Sequence, residues 1–166
     1  MTELLQNAIA FATRAHAGQL RKDGITPYIS HPLRVAFTVA ELFQCHDQHV
    51  LSAAVLHDTI EDTTKDFDDL VDAFGSEVAK IVAALTKDSR LPEREREEQY
   101  FNKLKEANWK VRLVKLADAY DNLCDSKTSA EPTKATKKAK LALGLAFGNE
   151  PTIKLAKAAL RQKLKI

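Results

Sequence analysis

Apolar residues recur at spacings of three and four along almost the whole chain, with charged residues between them. Thr2 is placed as the N-cap of a first helix that ends near Gly18. Its apolar face consists of Leu4, Leu5, Ala8, Ile9, Ala12 and Ala15. No segment alternates apolar and polar residues over the length of a strand. The pattern predicts an all-α protein.

Glycine and proline divide the rest of the chain. A polar loop over 18–27 carries a turn at Asp23-Gly24, and Ser30 is predicted to cap a second helix with Pro32 in its first turn. The inward face predicted for that helix is Leu33, Ala36, Phe37, Ala40 and Leu42. Later helices are predicted at 66–74, 77–85, 93–107, 109–123, 134–147 and 152–164, the first closed by Gly75. Without a repeat or linker, residues 1–166 are predicted to form a single domain.

Composition restricts the cellular setting. The two cysteines, Cys45 and Cys124, are far apart and form no CxxC pair, so a reducing cytoplasm is expected. The first residues lack the basic and apolar regions of a signal peptide, and none is expected. No apolar run approaches the roughly 20 residues that a membrane span requires. The sequence predicts a cytoplasmic protein without a membrane association.

Charge is unevenly distributed, although the formal net charge is only +2. Residues 126–166 hold ten Lys or Arg against two Glu, so this part carries +8 and the remainder carries −6. Such a basic region is either a solvated helix face or a surface for an acidic partner. No nucleic-acid partner is predicted, and the oligomeric state stays open.

One segment concentrates ionisable residues beside apolar ones: Val55-Leu56-His57-Asp58-Thr59-Ile60-Glu61-Asp62-Thr63. The third helix is predicted to run through it. A continuous helix would place His57 and Glu61 on one face, and Asp58 and Asp62 on a neighbouring face. Three carboxylates this close repel one another unless a cation lies between them. The segment therefore indicates the centre of a metal-dependent hydrolytic site.

Further ligands are available elsewhere. His31 precedes the second helix, and Asp118 lies inside an apolar segment, Lys115 to Asn122. Together with His57 and Asp58 they would form a mixed shell of two imidazoles and two carboxylates. Such a shell suits a divalent Mn, Fe or Zn ion with open positions better than a closed structural zinc site.

Several motifs, in this order, resemble the RelA/SpoT-type HD hydrolases. They are His16-Ala17-Gly18-Gln19, Arg21-Lys22-Asp23-Gly24, Pro27-Tyr28, His31-Pro32, His57-Asp58-Thr59-Ile60-Glu61-Asp62-Thr63, Leu85-Thr86-Lys87 and Lys115-Leu116-Ala117-Asp118 with Asp121-Asn122. The resemblance extends from about His16 to Asn122 and includes none of the basic residues beyond it. The chain looks like a small, single-domain alarmone hydrolase of this family.

The resemblance implies a role for each matching residue. Metal binding, usually of Mn²⁺ in this family, would fall to His31, His57, Asp58 and Asp118, and activation of the attacking water to Glu61 and Asp62. The guanine nucleotide would be contacted by Arg21 and Lys22 on the loop and by Asn122, with Tyr28 and Lys115 as further candidates. Asp121 stands where the family commonly has another residue type, and it is expected to add negative charge near the nucleotide.

Three hypotheses follow for the function. The first is metal-dependent removal of the 3′-pyrophosphate from guanosine tetra- or pentaphosphate, which gives GDP or GTP. The second keeps the same centre but acts on another nucleotide, for example on the 2′-phosphate of NADPH. The third is a nucleotide sensor without catalysis, which the presence of both Glu61 and Asp62 disfavours because a sensor needs no water-activating acids.

Overall fold

Helices joined by loops account for the residues that the computed structural model describes, 2–126 and 134–166. The α-helices are α1 (Glu3–Ala15), α2 (Ser30–Phe37), α3 (Gln48–Leu56), α4 (Thr59–Asp62), α5 (Phe67–Leu85), α6 (Glu93–Glu106), α7 (Trp109–Asp125), α8 (Lys134–Ala142) and α9 (Pro151–Leu164). A π-helical turn (Thr38–Leu42) continues α2, and a 3-10 turn (Leu143–Leu145) continues α8. The predicted all-α class is confirmed.

Helices α3 and α7 lie at the centre of the core. Every residue of α3 from Val50 to Leu56 is buried, and α7 packs against α2, α3, α5, α8 and α9. A helix that is apolar on all sides belongs inside a protein. The charged residues of α7, and His57 and Asp58 directly after α3, are therefore held beside the most tightly packed part of the protein.

The inward face predicted for the second helix is wrong at two positions. The side chains of Phe37 and Leu42 are exposed, whereas Val35, Val39 and Phe43 are fully buried. Phe37 is the last residue of α2, whose buried face consists of His31, Pro32, Val35 and Ala36. Leu42 lies in the π-helical turn, in which the N–H of Phe43 bonds to the carbonyl of Thr38. This turn takes in one more residue than an α-helical turn and rotates the buried face.

The His-Asp segment does not lie on one continuous helix, and that prediction is wrong. Helix α3 ends at Leu56, His57 and Asp58 form the junction, and α4 begins at Thr59. The hydroxyl of buried Thr59 donates to the carbonyl of Leu56 at 2.6 Å, so a side chain satisfies a group that a helix would otherwise bond. The junction changes the direction in which His57 and Asp58 project.

The basic region packs on the core over its described part; Lys127 and Glu131 lie outside the described residues. Helix α9 buries Ile153, Ala156 and Leu160, and Arg112 of α7 donates to the carbonyls of Leu145 and Phe147 at 3.2 and 2.7 Å. The helix predicted over 134–147 ends earlier, at Ala142. Within 2–126 and 134–166, no helix has both the length and the apolar character needed to cross a membrane.

Gly75 interrupts α5 with φ +81° and ψ 166°, which separates the two helices predicted on either side of it. Substitution to Ala should lower the free energy of unfolding by about 1–3 kcal/mol, because this backbone conformation is accessible almost only to glycine. A Cβ at this position would meet no atom within 4 Å, so the cost comes from the backbone alone. Urea unfolding measures it.

Gly144→Ala is the matched control. Its added Cβ would lie 3.6 Å from Phe101 Cζ, an ordinary contact, and its φ is not positive. The backbone explanation fails if the two substitutions change the midpoint of unfolding equally.

Candidate metal centre

A cleft of about 710 Å³ opens between the 18–27 loop, the α3–α4 junction, α7 and α8. Every residue that the sequence placed in the site lines it: Arg21, Lys22, Tyr28, His31, His57, Asp58, Glu61, Asp62, Lys115, Asp118 and Asn122. The fold thus brings together residues from Arg21 to Asn122, about a hundred positions apart in the chain.

Four side chains converge at the bottom of this cleft. Nε2 of His57 lies 3.1 Å from Asp58 Oδ2 and 3.9 Å from Asp118 Oδ1. Nε2 of His31 lies 3.3 Å from Asp118 Oδ1 and 3.6 Å from Asp58 Oδ2. Separations of this size are those of ligand atoms that each lie about 2.1 Å from one ion. His31, His57 and Asp118 could together hold a metal ion, their ligand atoms lying within 4.8 Å of one another.

The hydrogen bonds of both rings leave the inward nitrogen available for a metal. Nδ1 of His57 donates to the carbonyl of Ala54 at 2.9 Å, and Nδ1 of His31 to Asp121 at 2.7 Å. In neutral imidazole the other nitrogen, Nε2, then carries the lone pair. Nε2 of His57 is buried with no hydrogen-bond partner among the described residues. This donor set fits a divalent cation.

Electrostatics at the cluster favour positive charge. Burial lowers the pKa of His31, but its hydrogen bonds to Asp118 and Asp121 outweigh burial and raise that pKa to about 9. Burial raises the pKa of Asp118, but Lys115 and the two imidazoles outweigh it and hold that pKa well below its usual range. The cluster therefore favours a bound proton or a bound cation, and a metal would displace the proton of His31.

The two predicted catalytic acids lie beside the cluster on α4. Glu61 accepts a hydrogen bond from the backbone N–H of Lys87 at 3.1 Å. The Tyr28 hydroxyl is 2.6 Å from Asp58 Oδ2 and 3.0 Å from Asp62 Oδ2 and can donate to either. Burial raises the pKa of Glu61, the Lys87 contact opposes that shift, and Asp58 and Asp62 add to it. A carboxylate with a raised pKa is suited to accept a proton near neutral pH.

Most of the predicted substrate contacts are paired within the protein. Arg21 donates to Asp125 at 2.7 Å and to Asn122 at 3.2 Å, and its guanidinium lies 5.5 Å from the centre of the Tyr28 ring. Nζ of Lys115 lies 2.7 Å from Asp118 Oδ2. These pairs fix the positions of both side chains on the cleft wall.

The negative charge of Asp121 is compensated within the protein. Its carboxylate is buried and accepts from His31 Nδ1 and from Arg34 Nε and Nη2, the last two at 2.7 and 2.9 Å. The sequence assigned no function to Arg34. A signal was present, because Arg34 follows His31 by three residues on one helix face, as Asp121 follows Asp118 on another.

The sequence also missed the lysines on the opposite wall. Lys87, Lys134 and Lys138 line the cleft, the last two from α8. They share two partners: Glu97 lies 2.9 Å from Lys87 and 3.9 Å from Lys138, and Glu93 lies 3.5 Å from Lys134. Burial lowers the pKa of Lys138, and repulsion from Lys87 lowers it further. Three ammonium groups that line one cleft with two carboxylates as partners form a site suited to an anion.

A model of the HD domain matches residues 8–145. That match covers most of the chain and includes all four side chains of the cluster. The fold and the His-Asp cluster thus belong together, and the chain is a member of the HD-domain family.

Two curated relatives indicate which group within the HD-domain family the chain is similar to. A Danio rerio protein, guanosine-3′,5′-bis(diphosphate) 3′-pyrophosphohydrolase MESH1, is 42% identical over 125 residues, which are 75% of this chain and 69% of that protein. A protein of Aquifex aeolicus with the same enzyme name is 40% identical over 124 residues, 73% of this chain and 17% of that longer protein. The resemblance to RelA/SpoT-type HD hydrolases is confirmed.

A solved structure agrees. A metazoan ortholog of SpoT, described as hydrolysing ppGpp, superimposes with a TM-score of 0.83 at 28% identity. The match covers 98% of this chain and 96% of that one. The likeness therefore extends over the described helices of the basic region, where the sequence motifs stop.

His57→Ala should abolish high-affinity binding of a divalent metal, because it removes a buried ligand whose position a water molecule cannot fill equally well. The protein is stripped with a chelator and titrated with Mn²⁺ by calorimetry. His49→Ala is the control, since that ring lies on the surface beside Asp47 and Glu77. Unchanged affinity in a folded His57→Ala protein would rule out the metal assignment.

Proposed function

We propose that the chain is a metal-dependent 3′-pyrophosphohydrolase of guanosine 3′,5′-bis(diphosphate) and its pentaphosphate analogue. The relatives that carry this enzyme name support the proposal. One structural observation carries it: a single cleft holds the His-Asp cluster, two acids beside it and lysines on the opposite wall. Phosphoryl transfer requires metal, water activation and cations for the phosphates together in this way.

His31, His57, Asp58 and Asp118 would hold the metal, and we propose Mn²⁺. Two imidazoles with two carboxylates offer a mixed nitrogen and oxygen shell, which suits this ion. The bound cation would lower the pKa of a water molecule and neutralise charge on the attacked phosphoryl group.

Glu61 would accept the proton of the attacking water. The water oxygen forms a bond to the phosphorus that is joined to the ribose 3′-oxygen. The bond between that phosphorus and the 3′-oxygen breaks. That 3′-oxygen takes up a proton, so the products are GDP and pyrophosphate. Asp62 would orient the water, held in turn by Tyr28 at 3.0 Å. Positioning of this kind is the main contribution that a protein makes to phosphoryl transfer.

The remaining phosphates would lie against Lys87, Lys134 and Lys138. Within the described part of the chain, Glu93 and Glu97 are the carboxylates that pair with these lysines, and phosphate oxygens can replace them. On the opposite wall, the guanidinium plane of Arg21 is oriented by Asp125 and Asn122. A guanidinium plane held in this way can stack on a purine base, which an ammonium group cannot.

The proposed ligand is therefore a free guanine nucleotide and not a nucleic acid. Asp121 presents no obstacle to it, because His31 and Arg34 occupy its carboxylate. We also propose a cytoplasmic location, in keeping with two cysteines that are both unpaired.

The test is release of pyrophosphate and phosphate by the purified protein with Mn²⁺. The substrates are guanosine tetraphosphate, NADPH and ordinary nucleoside triphosphates. Glu61→Gln should keep its metal and lose about 10²- to 10⁴-fold in kcat, because general-base catalysis is worth that much. Metal content is measured on the same samples.

Pyrophosphate from the tetraphosphate alone, lost in Glu61→Gln, is the expected result. Phosphate from NADPH instead would move the protein to the second hypothesis. Tight binding of nucleotides without turnover would favour the sensor, and an unchanged kcat in Glu61→Gln would remove that residue from the mechanism.

Lys138→Gln should raise KM for the tetraphosphate about tenfold, which corresponds to about 1.4 kcal/mol, with a smaller effect on kcat. The reason is loss of one cation from a wall that binds phosphates before and during reaction alike. Lys137→Gln is the matched control, since Lys137 is exposed on the same helix and does not line the cleft. Equal effects of the two substitutions would show that only overall charge matters.

A further inference from the structure

A chain of ion pairs joins the metal cluster to the nucleotide side of the cleft. His31 Nδ1 bonds to Asp121, and Arg34 donates to both oxygens of Asp121 at 2.7 and 2.9 Å. The same Arg34 donates to Asp125 Oδ2 at 2.8 Å, and Arg21 donates to that oxygen at 2.7 Å. Asp121, Arg34 and Asp125 are here called the Arg34 bridge.

The central element of the bridge is a two-point contact. Nε and Nη2 of Arg34 reach the two oxygens of Asp121, and Nη2 also reaches Asp125. A planar guanidinium can satisfy these directions together, whereas the ammonium of a lysine is a single point charge. The bridge therefore fixes the plane of the Asp121 carboxylate and, through it, the ring of His31.

The two ends of the bridge differ in exposure. The Asp121 side chain is 5% exposed, and the Asp125 side chain is 40% exposed. Without Arg34, the carboxylate of Asp121 would keep His31 as its one hydrogen-bond partner among the described residues, and it would draw that ring toward itself or rotate. Asp125 would keep its contact with Arg21 and would lose the anchor that holds it to α2.

We infer that Arg34 is a positioning residue that orients the metal-binding ring of His31 and the nucleotide-facing plane of Arg21 at the same time. The half that concerns Arg21 rests on the proposed function, and the half that concerns His31 does not. Arg34 itself needs no contact with the substrate. Through the bridge, the same residue supports affinity for the metal and affinity for the nucleotide.

The inference is tested with Arg34→Met, which keeps much of the side-chain length and removes the guanidinium, and with Arg34→Lys. Affinity for Mn²⁺ is measured by calorimetry on chelator-stripped protein without nucleotide. Affinity for guanosine tetraphosphate is measured separately in EDTA, where no turnover occurs. Arg90→Met is the matched control, because Arg90 pairs with Asp88 at 2.7 Å on the surface, away from the cleft.

Arg34→Met should weaken Mn²⁺ binding about tenfold, the usual effect of losing a group that holds a metal ligand, and should also weaken nucleotide binding. Arg34→Lys should recover only part of each loss. Asp125→Asn should weaken nucleotide binding and leave Mn²⁺ binding unchanged, since it acts on the Arg21 end alone. Arg90→Met should change neither affinity.

The inference is overturned if a folded Arg34→Met protein keeps both affinities and loses only thermal stability. Arg34 would then form an ion pair that stabilises the fold without positioning either site. Loss of one affinity alone would overturn the joint role. Full recovery by Arg34→Lys would overturn the two-point geometry. A wild-type protein that neither binds nor cleaves the tetraphosphate would defeat the proposed function, and the Mn²⁺ titration would still decide whether Arg34 positions His31.

Discussion

The structure depends on positive charge that compensates the mutual repulsion of carboxylates held close together around two imidazoles. Asp58 and Asp118 lie within 4 Å of His31 and His57 at the bottom of the cleft, where the surrounding helices limit contact with water. Buried like charges are unfavourable unless positive charge compensates them. Lys115, the protonated form of His31 and a bound cation are each a means of compensation, and the packing of α2, α3 and α7 keeps the cluster assembled.

Helix α7 arranges much of this compensation along one face. Asp118, Asn122 and Asp125 follow at spacings of four and three, so they lie above one another. Asp118 faces the metal cluster, Asn122 connects it to Arg21, and Asp125 joins Arg21 to Arg34. The apolar residues on the other faces of α7 hold this polar row against the core.

Much of the fold and of the site could be predicted from local patterns. Helical periodicity predicted the all-α class and the division at Gly75, and the resemblance of the motifs to RelA/SpoT-type HD hydrolases predicted which residues line the cleft. The errors arose where one local interaction overrode periodicity. The Thr59 hydroxyl ends α3 early, and a π-helical turn rotates Leu42 outward. Neither effect is visible in a count of apolar positions.

Interactions between distant residues were harder to predict. Arg34 and Asp121 are 87 positions apart, and their pairing depends on how α2 crosses α7. The lysines of α8 looked like a solvated helix face because nothing in their spacing indicates a cleft opposite them. The charge of a residue indicates that it needs a partner of opposite charge, but only the fold determines which partner lies close enough to pair with it.

The two walls of the cleft come from different parts of the chain. The reacting end is built by α2, the α3–α4 junction and α7, whereas α8 contributes Lys134 and Lys138 from the far side. If the phosphates lie against these lysines as proposed, substitutions on α8 would alter phosphate binding without disturbing the reacting end. Under the proposed function, the metal cluster and part of the phosphate-binding wall are therefore inherited on separate segments, so changes in a single peripheral helix would alter phosphate contacts while the reaction centre stays intact.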